Sequence, residues 1–167
     1  LSHRINIQKG AMEWLVDLFC AKAHHPPSID SSSTDILKTG LNRYIANGSP
    51  QGKPMVNSAS LERLEVLDLV SEYESYVIVT SAGSEGMPEN EHERLDNAQL
   101  MMEECDKRDI SDHQIHIDPL LFPIAVDQSY GNHFLETVAL MKSEFGSDVR
   151  ISGGLSNVSF GLPARKL

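Results

Sequence analysis

Short apolar segments alternate with longer stretches of helical periodicity along almost the whole chain, and the apolar segments end in Asp, Asn or Thr. Such alternation constrains the fold strongly, because each strand–helix–strand passage is a crossover and crossovers build parallel sheets. The apolar segments are a step ending at Asp30 after Pro26-Pro27, Pro54-Met55-Val56 ending at Asn57, and Tyr76-Val77-Ile78-Val79 ending at Thr80. Ile115-His116-Ile117 then ends at Asp118-Pro119, and Val149-Arg150-Ile151 opens into Ser152-Gly153-Gly154-Leu155-Ser156-Asn157. Between them the periodicity predicts helices over residues 11–22, 34–46, 60–73, 91–107 and 131–145. In the first, Met12, Leu15, Val16 and Phe19 recur at helical spacing after Gly10. In the second, Thr34 is placed to cap, Ile36, Leu37, Leu41 and Ile45 face inward, and Asn47-Gly48-Ser49-Pro50 stops the helix. Leu61, Leu64, Leu67 and Val70 form the apolar stripe of the third.

Composition narrows the class. With 167 residues, 40% hydrophobic and 23% charged, the chain suits one domain with a real core. A formal net charge of −10 argues against nucleic-acid binding, which needs a basic face to displace phosphate counterions. The two cysteines, Cys20 and Cys105, lie in helical patterns and form no CxxC pair, so neither a disulfide framework nor a structural zinc site is expected. No apolar run approaches the roughly 18 residues of a membrane span. The start, Leu1-Ser2-His3-Arg4, is unlike a secretory signal, so the expected location is cytoplasmic. No GxGxxG follows the first strand and there is no P-loop, which leaves the nucleotide-binding open sheets without support. The missing initiator Met and the end at Arg165-Lys166-Leu167 read as a domain, residues 1–167, truncated at both ends.

In a parallel α/β sheet or barrel the carboxyl ends of all strands share one face. Asp30, Asn57, Asp118 and Asn157 are therefore expected to converge on one mouth, where barrel enzymes place their sites. Capping a helix or closing an Asx-turn explains any one of these residues; four at equivalent places point to a shared site. The ring holds carboxylates and amides, with Arg165 as its nearby cation. That suits neither a phosphate nor a metal needing paired His ligands. It suits a neutral heterocycle rich in N–H donors, since a carboxylate accepts two parallel hydrogen bonds from an amide–guanidine edge such as a pterin presents. His24-His25 read as a solvated loop, His116 as a packed or surface residue, and Met101-Met102 as core and edge.

The motifs Ile29-Asp30-Ser31, Met55-Val56-Asn57-Ser58, Ile117-Asp118-Pro119-Leu120 and Gly154-Leu155-Ser156-Asn157-Val158-Ser159 occur in this order. Together they resemble the pterin-binding domain of methyltetrahydrofolate:corrinoid/iron-sulfur protein methyltransferases and the folate module of cobalamin-dependent methionine synthase. Gly10-Ala11-Met12-Glu13-Trp14-Leu15-Val16 is similar to the helix before the third strand in that family, and the likeness runs from Gly10 to the C-terminus. It implies a dihydropteroate-synthase-like, pterin-binding TIM (β/α)8 barrel, of which this chain supplies about strands 3 to 7. The first two strands, with the family's Asp on the second, have no counterpart here, nor has the eighth. Phe160-Gly161 stands where the corrinoid/iron-sulfur branch often has Gln, closer to the methionine-synthase style.

By the same resemblance, the methyl group on N5 of methyltetrahydrofolate moves to the Co(I) corrinoid carried by a partner protein. Asp118 holds the pyrimidine edge, Asp30 and Asn57 contact other pterin nitrogens, Asn157 sits by N5, and Arg165 shapes the rim. Asn157 is the catalytic candidate; no protein nucleophile and no metal bound by this chain are expected. The expected partners are a corrinoid protein and a small-molecule folate, and family members are often homodimers. Two rivals stay open. A dihydropteroate-synthase-like enzyme shares the barrel, although that family carries Ser-Arg-Lys where this chain has Ser156-Asn157-Val158. A non-catalytic pterin-binding module of a larger assembly is the other.

Overall fold

The computed structural model describes residues 2–163, with side chains from Arg4 onward. Four strands, β1 (Ser28–Asp30), β2 (Met55–Ala59), β3 (Tyr76–Thr80) and β4 (Ile115–Asp118), form one sheet in the order β1-β2-β3-β4. Every neighbouring pair is parallel. A doubly wound sheet reverses its strand order at a switch point, whereas sequential order belongs to the arc of a barrel. The chain is an α/β protein with a partial-barrel sheet.

The two faces of the sheet differ sharply. Ile29, Val56, Val77, Val79, Ile115 and Ile117 alternate onto one face and are buried under the helices. Asp30, Asn57, Ile78 and His116 occupy one register row on the opposite face, with Thr80 and Asp118 paired one row further along. These residues are half-buried or exposed. Period-2 alternation in each strand thus sends most of the branched aliphatics toward the helices and the polar groups, with Ile78 among them, to the other face.

Helix α2 (Thr34–Ala46) shows why the core closes on β1. Its buried residues are Ile36, Leu37, Gly40, Leu41 and Tyr44. A Cβ on Gly40 would lie 2.8 Å from Ile29 Cγ2 and 3.1 Å from Met12 Sδ, so the missing side chain permits this close approach. Ile45, expected inward, is 49% exposed, because Tyr44 takes the inner position and donates its hydroxyl to the Gly52 carbonyl at 2.9 Å. Thr34 is the first helical residue, with Ser33 at the cap, and its hydroxyl instead reaches Glu65 at 2.8 Å.

Helix α1 (Ser2–Lys22) starts well before the expected residue 11 and runs straight through Gly10. A single helical glycine costs about 1 kcal/mol relative to Ala, which a helix of this length absorbs. α1 packs chiefly on α2 and is joined to it by Asp17, which receives two 2.6 Å bonds from Arg43. Val16 is buried, but Leu15, which shares the same helical spacing, is 52% exposed. Helix α3 (Glu65–Glu72) is shorter than expected, because residues 60–64 form turns and Arg63 donates to the Ser31 carbonyl at 3.2 Å. Helices α4 (Glu91–Asp106) and α5 (Ser129–Glu144) lie within two residues of the expected bounds. Asn90 caps α4 by accepting from the Glu93 N–H at 2.9 Å.

Two strand ends are corrected. β2 does not stop at Asn57 but runs on to Ala59 through a bulge, which shifts the register with β3 between Asn57 and Ala59. The fifth strand shrinks to a single bridge between Ile117 and Ile151. Its two ladder bonds, Ile117 N–H to Arg150 O and Ser152 N–H to Ile117 O, are both 2.9 Å. Residues 146–149 are taken up by the turn after α5, where Gly146 adopts φ +93°, so little extended chain remains to pair.

Candidate functional site

The polar ends of β1 to β4 form the candidate site. Asp30 and Asn57 are register partners, and Asn57 Nδ2 donates to Asp30 Oδ2 at 3.4 Å. The Ser31 N–H continues the strand pairing to the Asn57 carbonyl at 3.3 Å. Two strands over, Asp118 pairs with Thr80, and the Ser81 N–H reaches the Asp118 carbonyl at 2.9 Å. The structure thus brings Asp30 and Asn57 into contact and sets Asp118 on the same sheet face, with Ile78 and His116 in the row beside Asn57.

Asp118 is the most constrained member. Its Oδ1 accepts the Leu120 N–H at 2.9 Å in an Asx-turn, and Leu120 adopts φ +64°. Burial pushes its carboxyl above the ordinary value of 3.8, and the Leu120 hydrogen bond only partly opposes this. Its second oxygen has no hydrogen bond among the described residues. A desolvated carboxylate with one uncommitted oxygen is a strong acceptor for an N–H donor brought against that face. Beside it, burial lowers the affinity of His116 for a proton, aided by the charge of Arg150, so the ring is neutral at neutral pH. Its edge meets Tyr76 at 6.4 Å.

Asn157 is placed by the loop after the bridge residue Ile151. It lies in a short 3-10 turn (Leu155–Ser159), exposed, with its N–H bonded to the Gly154 carbonyl at 2.9 Å. A Cβ on Gly154 would come within 3.0 Å of Asn157 Nδ2, so the glycine leaves room for the amide. The Ile124 N–H donates to the Val158 carbonyl at 3.2 Å, tying the loop that carries Asn157 to the loop that follows Asp118. Arg165 lies outside the described residues.

Two side chains escaped the sequence reading. Arg94 and Asn97, one turn apart on α4, reach over the ends of β4 and β3: Arg94 Nε donates to Pro119 O at 3.0 Å and Asn97 Nδ2 to Ser81 O at 3.0 Å. Arg94 stands in the run Glu91-His92-Glu93-Arg94, which has the look of a solvated helix start; no local spacing marks it as buried. Among the described residues no cluster of three or more His, Cys, Asp or Glu is arranged to hold a metal ion. No helix among them is long and apolar enough to cross a membrane.

The sequence profile of a family described as pterin-binding enzymes matches residues 6–166. The chain is 29% identical to the methylcorrinoid:tetrahydrofolate methyltransferase of Eubacterium limosum, over 96% of this chain and 59% of that protein. It is 25% identical to the methionine synthase of Mycobacterium tuberculosis (strain ATCC 25618 / H37Rv), over 90% of this chain and 13% of that protein. The chain therefore spans less than two thirds of the first relative and a small part of the second.

Proposed function

The chain belongs to the pterin-binding enzyme family, and from that premise we propose that it moves the N5 methyl group of methyltetrahydrofolate to the Co(I) corrinoid of a partner protein. The observation that carries the reading is the row of acceptors on the open sheet face: Asp30 and Asn57 in contact, and Asp118 desolvated with a free oxygen. The pyrimidine edge of a pterin offers the N–H donors that Asp118 lacks. Asp30 and Asn57, already bonded to one another, take further ring nitrogens without new ordering of their side chains.

An amine is a poor leaving group. As the N5–CH3 bond breaks, its electron pair stays on nitrogen, which must take up a proton or a hydrogen bond. Asn157 supplies a donor at N5; an amide is no strong acid, so its role is to orient and stabilise the reacting nitrogen. The corrinoid, when a partner brings it, contributes the nucleophile that receives the methyl group. The Eubacterium limosum relative is named for a methylcorrinoid and tetrahydrofolate as its reacting pair. Methyl transfer between those two groups is one reaction read in either direction, so the same residues serve both.

The test mixes the protein anaerobically with cob(I)alamin and methyltetrahydrofolate and follows loss of the cob(I)alamin absorbance. Asn157→Ala should slow transfer by about a hundredfold, the usual cost of one preorganised donor. Folded protein that binds the folate and transfers nothing leaves a non-catalytic pterin-binding module. Protein that binds no pterin defeats the assignment of the site.

A further inference from the structure

Arg94 is completely buried, at 0% exposure, yet forms no ion pair among the described residues; burial disfavours its charge and the nearby charges of Glu91 and Glu93 only partly offset this. Its Nε donates to Pro119 O at 3.0 Å, its Cζ lies 4.9 Å from the centroid of the Phe122 ring, and neither terminal nitrogen has a hydrogen-bond partner. Isolated buried cations are costly, and a surface ion pair with Glu91 or Glu93 was open to a residue in this helix turn. The helix instead spends its one inward cation on the carbonyl that directly follows Asp118.

We propose that Arg94, assisted by Asn97, is a positioning residue for Asp118. Four bonds form the clamp: Arg94 to Pro119 O, Asn97 to Ser81 O, the Ser81 N–H to Asp118 O, and the Leu120 N–H to Asp118 Oδ1. One turn of α4 therefore grips the ends of β3 and β4 together. The Pro119 carbonyl sits between the Asp118 backbone and the Leu120 N–H that holds the carboxylate, so fixing it fixes the direction in which the free oxygen points. Phe122, packed edge-on against Tyr130 at 5.4 Å, backs the guanidinium and ties the same loop to α5. Arg94 touches no substrate; it acts through Asp118.

The inference rests on the pterin site proposed above, and its test separates the two. Arg94→Met keeps the volume of the stem and removes the donor and the charge, a replacement that buried ion sites often tolerate. Binding of tetrahydrofolate should weaken by about tenfold to a hundredfold, as expected on losing a hydrogen bond to a charged group. In an Asp118→Asn background the same substitution should change binding by less than about threefold, because residues acting as one unit are not additive. Equal losses in both backgrounds, or no loss in either, would overturn the proposal. If the unaltered chain binds no tetrahydrofolate, the pterin reading fails and the clamp is read directly by hydrogen exchange at the Ser81 and Leu120 amides. Arg94→Met should speed both, because their bonds to Asp118 are the ones the clamp holds; unchanged exchange refutes the clamp. Should Arg94→Met not fold, Arg94→Lys must show the same pattern with a smaller loss, since an ammonium reaches one carbonyl but lacks the guanidinium held 4.9 Å from the Phe122 ring centroid.

Discussion

Asp118→Asn separates the cost of holding the site from its use. The amide keeps an oxygen for the Leu120 N–H, now 2.9 Å from Oδ1, so the Asx-turn survives. It replaces the uncommitted oxygen with an NH2 group, a donor set against the N–H donors of a pterin. Losing one charge-assisted bond and leaving a donor unpaired together cost about 3 kcal/mol, on the order of a hundredfold in Kd. Stability moves the other way. Burial raises the Asp118 carboxyl above its ordinary 3.8, so the folded state holds the proton more tightly than the unfolded chain. Between 3.8 and the raised folded value, stability of the unaltered protein therefore falls as pH rises, and above that window the whole penalty is present. The variant has no such penalty. It should be as stable or more stable at neutral pH, and the difference should vanish as pH drops below the ordinary carboxyl value. Calorimetric titration with tetrahydrofolate and thermal melts from pH 3 to 8 measure both. A variant that binds as tightly as the parent, or that melts lower at neutral pH, would refute the account of Asp118.

Three further outcomes follow from the packing. Gly154→Ala places a methyl 3.0 Å from Asn157 Nδ2 at a backbone with φ −76° that alanine accepts, so methyl transfer should slow several-fold without a change in melting temperature. Gly40→Ala drives a methyl to 2.8 Å from Ile29 Cγ2 and should destabilise by about 1–3 kcal/mol in denaturant melts. Because Ile29 adjoins Asp30, folate binding should weaken too. The Cys105 thiol is buried and pushed up to about 12, so a thiol reagent should leave it unmodified in the native protein and label it on unfolding; rapid native labelling of Cys105 contradicts the core as described.

Much of the candidate site's placement was legible because topology does the work. A strand ending in Asp or Asn, followed by a helix, puts that residue on the carboxyl side of a parallel sheet whatever surrounds it. Asp30, Asn57 and Asp118 needed only the alternation to be placed on one face. The strand and helix segments were likewise readable wherever one face of each is buried, as in β3 and α4. Readings failed where neighbours decide. Ile45 lost its inward place to Tyr44, whose hydroxyl had Gly52 to bond. Leu15, in the same apolar spacing as buried Val16, stays exposed. The fifth strand was cut to one bridge by the turn before it.

The amino-acid sequence by itself determined the alternation, the parallel sheet and the polar residues at the strand ends, because each depends on side-chain period and on residues close along the chain. The order β1-β2-β3-β4, the bulge after Asn57, the contact between Asp30 and Asn57 and the desolvation of Asp118 were decided only in the tertiary structure. So was the burial of Arg94, a charged residue in a charged run, whose partner carbonyl lies 25 residues away in the chain. Periodicity reports which way a side chain faces along its own element. Which groups it meets there depends on the register and packing of other elements, and that is where a polar residue becomes part of a site.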